Sequence, residues 1–227
     1  MFIRNLLAGL ALSVTLSSAH AAIINGDFAD VTVLNGWSTI GNVTEEPDGI
    51  ADDRARLSTE FGSSDKSLIN STLSIDIDAL TASFTGSGTA ANASVLYQSF
   101  TVFGTGDISF DWNFLTDEGG GFGSQIDFAF YVLQSATGLA VIGDTSAPAI
   151  SGFDKQTGFS TETITGLTAG SYLIGFGVVN KNTVSKDSGL LIDNVLLVDS
   201  GTDPSIPVPA TAAMFALGLL GLRRRSR

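Results

Sequence analysis

The stretch that decides the fold is Ile108-Ser-Phe-Asp-Trp-Asn-Phe114, in which large apolar residues alternate with polar ones. Successive side chains of a β-strand point to opposite faces of the sheet, so a period of two predicts a strand with one buried face. The inward face would consist of Ile108, Phe110, Trp112 and Phe114, and the outward face of Ser109, Asp111 and Asn113.

The same alternation recurs elsewhere in the chain, and regular helical periodicity is hard to find. It is present at 73–78, 126–131 and 171–178, and it predicts a further strand at each of these places. The runs 95–103 and 190–198 are richer in apolar residues. This composition predicts strands that are buried on both faces or nearly so.

Short turn-forming segments separate these runs. Gly, Thr, Ser and Asp are concentrated at 85–88, 104–107, 118–121 and 167–170. Short strands divided by such turns are typical of an all-β sandwich. The pattern predicts a single jelly-roll-like β-sandwich domain over residues 22–198.

The N-terminus has the pattern of a secretory leader. Arg4 is followed by the apolar stretch 6–16, and Ala19-His20-Ala21 matches the small-residue cleavage site of such leaders. We therefore expect residues 1–21 to be a signal peptide and the mature chain to be exported.

The C-terminus, residues 206–227, combines a proline pair, an apolar run and a basic end. The run 210–222 has 13 residues. At a rise of about 1.5 Å per residue it would span about 20 Å, short of the roughly 30 Å hydrocarbon core. Cations that follow an apolar helix stay on the cytoplasmic side. After a spacer at 199–205, the tail therefore predicts a short transmembrane helix that anchors transiently in the inner membrane, with a basic stop at Arg223, Arg224, Arg225 and Arg227.

This tail resembles the PEP-CTERM sorting signal of Gram-negative bacteria. Pro207 and Pro209 match its two prolines, although Val208 stands where that signal usually has Glu. The resemblance implies passage through the export machinery and processing near Pro207-Val208-Pro209 by an exosortase-like peptidase. The protein would then reside at the cell surface or in the extracellular matrix.

Composition restricts the function of residues 22–205. They hold all 23 acidic residues and six of the basic ones, a formal net charge of −17. This charge disfavours nucleic acid as a partner. The chain has no cysteine, and its one histidine, His20, lies in the predicted leader. Thiol chemistry, Ser-His-Asp catalysis and His-ligated zinc are thereby excluded from the mature chain, so we expect no enzyme.

Three short motifs in the body resemble galactose-binding-like jelly rolls, which include many carbohydrate-binding modules. They are Asn25-Gly-Asp-Phe28, Gly36-Trp37 and Ile192-Asp-Asn-Val195. The resemblance implies a first and a last strand that lie close together and share a structural Ca²⁺. The candidate calcium ligands are Asn25, Asp27 and Asp193. The alternative for the two aspartates is hydrogen bonding to backbone groups at a turn and a strand edge.

Other residues admit two interpretations. The acidic stretch 45–53 suits either cation binding or a solvated loop. The Asp117-Glu118 pair suits glycoside hydrolysis only if a turn re-aims one carboxyl, because neighbours on a strand point apart. Trp37 is a candidate for stacking on a sugar or for packing in the core, and Trp112 favours the core.

Taken together, these features predict a non-catalytic protein of the cell surface or extracellular matrix that interacts with exopolysaccharide. The alternative is a carbohydrate-binding module with a defined sugar site. A glycan hydrolase that uses two carboxylates is the third possibility.

Overall fold

The computed structural model describes residues 23–30, 32, 34–47, 53–60, 65–118, 127–135, 138–144, 155–182, 184 and 186–201. The strands are β1 Ser38–Ile40, β2 Asn42–Pro47, β3 Asp53–Ser58, β4 Ala90–Val102, β5 Gly106–Thr116, β6 Phe128–Gln134, β7 Gly138–Asp144, β8 Lys155–Gln156, β9 Ser160–Leu167, β10 Gly170–Lys181 and β11 Ser188–Asp199. The helices are α1 Lys66–Leu73 and α2 Ile77–Thr85.

The strands form two antiparallel sheets. Sheet 1 has the order β1-β4-β10-β6-β7, and sheet 2 has the order β2-β3-β11-β5-β8, with β9 also paired to β5. The predicted β-sandwich is thus confirmed as an architecture of two antiparallel sheets. The predicted leader at 1–21 and the tail at 206–227 lie outside the described residues.

The inward faces of the two sheets share one apolar core. The ring of Phe110 from sheet 2 lies edge-on to Phe176 from sheet 1, with centroids 4.8 Å apart. Ile108, Phe110 and Phe114 are fully buried, and Trp112 is half-buried against the same core. The alternation predicted for 108–114 is therefore confirmed.

The prediction of a strand at 73–78 is wrong. This segment is the junction between α1 and α2, where Ser74 ends α1 in the left-handed conformation at a φ of 50°. Asp76 then caps α2 by accepting hydrogen bonds from the N–H groups of Asp78 and Ala79. Short polar side chains at a helix N-cap satisfy backbone donors that have no partner within the helix. A helix end followed by a helix start produced the apparent period of two.

Both helices pack on the outward face of sheet 1. Ile69 and Leu73 from α1 and Ile77 from α2 are fully buried against apolar residues of β4, β6 and β10. Glycine in β10 makes room for this layer, because a Cβ on Gly175 would lie 2.8 Å from Cδ2 of Leu73. The central strands of sheet 1 are consequently buried on both faces.

The prediction for 190–198 is right for the first half of the run and wrong for the second. Leu190 to Asp193 are buried, but Leu196 and Val198 are 57% and 62% exposed on the outward face of sheet 2. A bulge in the pairing of β11 with β5 separates the two halves.

The end of β11 is fixed to the β4–β5 turn. The carboxylate of Asp199 accepts hydrogen bonds from the N–H groups of Phe103, Gly104 and Gly201 at 2.7–3.1 Å. The hydroxyl of Ser200 donates to the carbonyl of Thr105. The first residues of the predicted 199–205 spacer are therefore bound to the sandwich. Among the described residues, neither helix has the length and apolar character needed to cross a bilayer.

Candidate functional site

Four adjacent strands of sheet 2 each contribute one polar residue to a row on its outward face. Register places Asp193 of β11 opposite Asp111 of β5, and Asp111 opposite Thr161 of β9. On the other side of β11, Nε of Arg54 in β3 lies 3.6 Å from Oδ2 of Asp193. We call Arg54, Asp193, Asp111 and Thr161 the polar row.

Hydrogen bonds fix the carboxylate of Asp111 within this row. Oγ1 of Thr161 donates to Oδ1 of Asp111 at 2.5 Å, and Nδ2 of Asn194 donates to Oδ2 at 3.0 Å. Asn194 lies at the β11 bulge with a φ of 49°. Asn tolerates this left-handed conformation better than most residues. The bulge therefore aims the amide of Asn194 at the row, a common use of bulges beside binding sites.

An exposed aromatic ring lies beside the polar row. Phe159, just before β9, is 45% exposed, and Cζ of Arg54 lies 4.7 Å from its ring centroid. A guanidinium at this distance attracts the π-face of the ring. Phe159 and Arg54 come from opposite sides of β11 and β5, so together they bridge the centre of the face.

Further polar side chains continue the face along the strands. Nδ2 of Asn113 donates to Oε1 of Gln156 at 2.9 Å, and Thr157 donates its hydroxyl hydrogen to Oδ1 of Asn113 at 3.2 Å. On β3, Nε of Arg56 lies 3.5 Å from Oε2 of Glu46. The face thus carries amides, hydroxyls and paired charges, of which Asn113 and Asp193 are buried.

Such an array suits a ligand rich in hydroxyl groups. Fixed carboxylate and amide groups can exchange hydrogen bonds with hydroxyls, and an exposed ring can cover the apolar face of a pyranose. The hydrolase alternative requires two facing carboxyls, and Asp111 and Asp193 lie opposite each other on adjacent strands. Both already have partners, Thr161 and Asn194 for Asp111 and Arg54 for Asp193, which describes a binding surface better than an acid and nucleophile.

The predicted calcium ligands are only partly brought together. The N–H of Val195 donates to the carbonyl of Gly26 at 2.8 Å, so the Asn25-Gly-Asp-Phe28 segment does lie against the last strand. Oδ1 of Asn25 accepts a hydrogen bond from the N–H of Asp30, and Asp193 faces Arg54.

This set of donors does not fit calcium well. The position beside Asp193 is held by a guanidinium rather than by hard oxygen ligands. Within the described part of the chain, no three Asp, Glu or His side chains are grouped in a way that could hold a metal ion. Calcium binding by Asn25, Asp27 and Asp193 stays a prediction of the resemblance, which chelation can test.

Trp37 lies in the core. It is 8% exposed, its ring is 5.4 Å from that of Phe28, and its indole N–H donates to the carbonyl of Asn25 at 3.0 Å. Trp37 therefore packs in the core, and its placement does not support stacking on a sugar.

The remaining candidates occupy the ends of strands or lie outside the described residues. Glu118 is buried at the end of β5, and Asp117 donates its N–H to the carbonyl of Asp187. The acidic stretch 45–53 spans the end of β2 and the start of β3, with 48–52 outside the described residues. Pro207, Val208, Pro209 and the arginines at 223–225 and 227 also lie outside them.

Sequence reasoning placed Asp111 on an outward face but missed its partners. Arg54 and Phe159 belong to no motif, and Asn194 was read only as part of the Ile192-Asp-Asn-Val195 motif. The one available signal was that Arg54 and Arg56 are the two arginines of residues 22–205. Their meeting with Phe159 and Asp193 depends on the order of strands in sheet 2.

Comparison with known proteins gives only distant likenesses. No family model matches the chain, and no curated protein matches it. Among solved structures, it is similar to TmCBM61 in complex with beta-1,4-galactotriose, with 10% identity over 74% of this chain and 90% of that chain and a TM-score of 0.38. It is also similar to the mannan-recognising carbohydrate-binding module TmCBM27, with 12% identity over 75% and 92% of the two chains and a TM-score of 0.37.

A third likeness is to the family 11 carbohydrate-binding module from Clostridium thermocellum, in complex with a beta-1,3-1,4-mixed-linked tetrasaccharide. It has 13% identity over 82% of this chain and 100% of that chain, with a TM-score of 0.35. Likenesses of this degree do not establish a common function.

Proposed function

We propose that this protein is an exported, non-catalytic polysaccharide-binding protein whose ligand lies on the outward face of sheet 2. The observation that carries the proposal is the half-exposed ring of Phe159 beside the polar row, with Arg54 joining the two. Pre-positioned polar groups around an aromatic surface are the usual composition of a site for a polar organic ligand.

Charge indicates which polysaccharides suit the face. Arg54 and Arg56 are each paired with carboxylates, and the 22–205 chain carries a formal net charge of −17. A uronate or sulfated polymer would meet this negative field at long range. The proposed ligand is therefore an uncharged polysaccharide that offers hydroxyl groups to Asp111 and Asn194.

Export and sorting complete the proposal. The leader at 1–21 directs the chain through the export machinery, and the 206–227 tail holds it transiently in the inner membrane until an exosortase-like peptidase acts near Pro207-Val208-Pro209. The sandwich is then delivered to the surface or extracellular matrix, where exopolysaccharide is available. The order of leader, acidic β-rich body, proline pair, apolar run and arginines supports this route.

The binding test compares two exposed phenylalanines on opposite sides of the sandwich. Wild type, Phe159→Ala and Phe84→Ala are titrated with soluble β-glucan and mannan as neutral polymers and with alginate as a uronate polymer. We expect Phe159→Ala to weaken binding of a neutral polymer at least about 10-fold, because the stacking surface is lost. Phe84, on α2 over sheet 1, is 37% exposed and serves as the matched control.

Two outcomes would contradict the binding proposal. One is equal weakening in the Phe84→Ala and Phe159→Ala variants, and the other is binding by wild type to alginate alone. Failure of wild type to bind any of a wider panel of neutral glycans would also overturn it.

Sorting is tested separately from binding. Replacing Arg223, Arg224 and Arg225 by Gln should leave the precursor unprocessed, because the basic stop that fixes the tail is removed. Cell fractionation and the apparent mass of the product report this result. Normal release of the triple variant would contradict the sorting proposal and leave the glycan-binding proposal intact.

A further inference from the structure

A polar layer closes one end of the core between the two sheets. Sequence alternation would continue the apolar faces here, yet every side chain of the layer is hydrophilic. Its members are at most 3% exposed, and they are Asn92, Asp127 and Asn180 from the sheet 1 side and Thr59, Thr116 and Ser188 from the sheet 2 side.

Asp127 is the one acid of this layer, and it joins the two sheets. Its Oδ1 accepts from the N–H of Lys181 at 2.9 Å, and its Oδ2 accepts from the hydroxyl of Ser188 at 2.8 Å. The hydroxyl of Ser188 also lies 2.8 Å from Oγ1 of Thr116. The end of β10, the start of β11 and the end of β5 therefore meet at one carboxyl group, an arrangement that we call the Asp127 clasp.

Other acids face the clasp from the elements around it. Glu118 at the end of β5 and Asp187 just before β11 act on Asp127, and Glu60 after β3 and Asp117 act in turn on Asp187. From β10, the group that contacts Asp127 is the backbone N–H of Lys181. A charge on Asp127 would thus be buried close to the carboxylates of Glu118 and Asp187.

Burial is the main reason that the pKa of Asp127 rises to about 7. Its two hydrogen bonds act in the opposite direction, and repulsion from Glu118 and Asp187 adds a smaller rise. Burial, together with Glu60 and Asp117, also raises the pKa of Asp187. Burial and the neighbouring acids therefore outweigh the two hydrogen bonds, and the folded chain prefers the protonated acid at this position.

We propose that the Asp127 clasp is a proton-operated lock on this end of the sandwich. With the carboxyl group protonated, the layer is neutral at its centre, and the ends of β10, β11 and β5 stay joined. When the proton leaves, a buried charge beside Glu118 and Asp187 loosens the same strand ends. The lock is independent of the polysaccharide-binding proposal, which concerns the outward face of sheet 2.

The direction of the pH effect follows from proton linkage. Because the folded chain holds this proton more tightly than the unfolded chain, the contribution of Asp127 to stability is greatest below the ordinary aspartate pKa of 3.8, which applies to the unfolded chain. It falls as pH rises from that value towards about 7, and the contribution of Asp127 is flat above.

The first experiment follows the proton directly. Carbon-13 NMR of the side-chain carboxyl groups in the purified wild-type full chain should show one aspartate with a midpoint near 7, assigned by its absence in Asp127→Asn. Hydrogen exchange at the Lys181 amide, corrected for its intrinsic pH dependence, should quicken through the same midpoint. A midpoint below about 5 for Asp127 would overturn the lock, and so would unchanged protection of the Lys181 amide.

The second experiment compares stability curves. Between about pH 4 and pH 8, the unfolding equilibrium constant of wild type should rise at least about 100-fold more than that of Asp127→Asn. Asp30→Asn is the matched control, since Asp30 is an exposed acid outside the layer. It should keep the wild-type dependence. Equal pH dependence in wild type and Asp127→Asn would overturn the lock.

If Asp127→Asn does not fold, the wild-type titration decides, with Asp127 then assigned by triple-resonance NMR of the wild-type chain. Repeating that titration in millimolar calcium chloride adds a further arm. A proton-operated lock keeps its midpoint, whereas a midpoint lowered by calcium would identify Asp127 as a metal ligand and overturn the proposal.

Discussion

The outward faces of the two sheets differ in what they carry, although the strands beneath them alternate in the same way. Sheet 1 presents apolar residues and two glycines of β10, and helices α1 and α2 pack on it. Sheet 2 presents Arg54, Asp111 and the exposed ring of Phe159. The inward faces are alike and build one core.

This difference shows how a sandwich separates stability from recognition. Burying a second apolar face on sheet 1 adds to the free energy of folding, because apolar surface leaves water on both sides of the central strands. On the outward face of sheet 2, Asp111, Asn194 and Phe159 keep access to solvent. Substitutions on the two faces should therefore differ in their effect on stability, and four predictions test this difference.

The largest effect is expected where α1 meets sheet 1. Leu73→Ala should lower the free energy of unfolding by about 2–5 kcal/mol, because a fully buried side chain leaves a cavity. Leu196→Ala on the sheet 2 face should stay within about 0.5 kcal/mol. Chemical denaturation measures both, and comparable losses would show that the sheet 2 face is also covered.

A somewhat smaller loss is expected from filling the space under the helices. An added Cβ at Gly177 would overlap the ring of Phe130, so Gly177→Ala should cost about 1–3 kcal/mol by overpacking. Gly170→Ala in the same strand is the control, since the nearest atom would be 3.7 Å away. If Gly177→Ala were as well tolerated as Gly170→Ala, the tight packing of sheet 1 would be disproved.

Paired charges on the sheet 2 face should contribute less. Arg54→Gln removes both the ion pair with Asp193 and the contact with Phe159, and we expect a loss of about 1 kcal/mol. Arg56→Gln, at a site with ion pairs to Glu46 and Glu60, should lose about half as much. Urea denaturation at low and high salt separates the contribution of the ion pair from that of the contact with Phe159, because salt screens only the ion pair. A larger loss for Arg56→Gln would argue against a role for the ring of Phe159.

Chelation is expected to have the smallest effect of the four. Because Arg54 already lies beside Asp193, the melting temperature should be the same with and without EDTA. A fall in EDTA that added calcium reverses would instead support the ligand set Asn25, Asp27 and Asp193. The Asp193→Asn variant would then lose that calcium response.

Alternation predicted well wherever a strand has one apolar and one polar face. The 108–114 stretch of β5 follows the expected burial of inward residues such as Phe110. In the 171–178 stretch of β10 the inward Phe176 is buried as expected, but the helices cover the outward face as well. It failed at 73–78, where two short helices meet and where Asp76 caps the second of them. The helix cap at Asp76 determines the local structure there, and the alternation extends over only six residues.

The candidate site was less accessible to prediction for a physical reason. Arg54, Asp111, Phe159 and Asp193 are separated by tens of residues, and no short spacing links them. Their contacts arise from the order β3-β11-β5-β9 across sheet 2 and from the bulge at Asn194. The buried acid Asp127 was hidden in the same way, since its own strand reads as an ordinary alternation.

The amino-acid sequence by itself determined that the body is rich in strands, strongly acidic and without cysteine. It also placed the one histidine in the predicted leader. Those properties are sums over residues or periods along a strand, so they do not depend on which strands are neighbours. Only the tertiary structure decided that helices cover one sheet, that Phe159 meets Arg54 on the other, and that Asp127 is enclosed between them. Burial and proximity depend on strand order, which is set by the packing of the whole sandwich and not by any local segment.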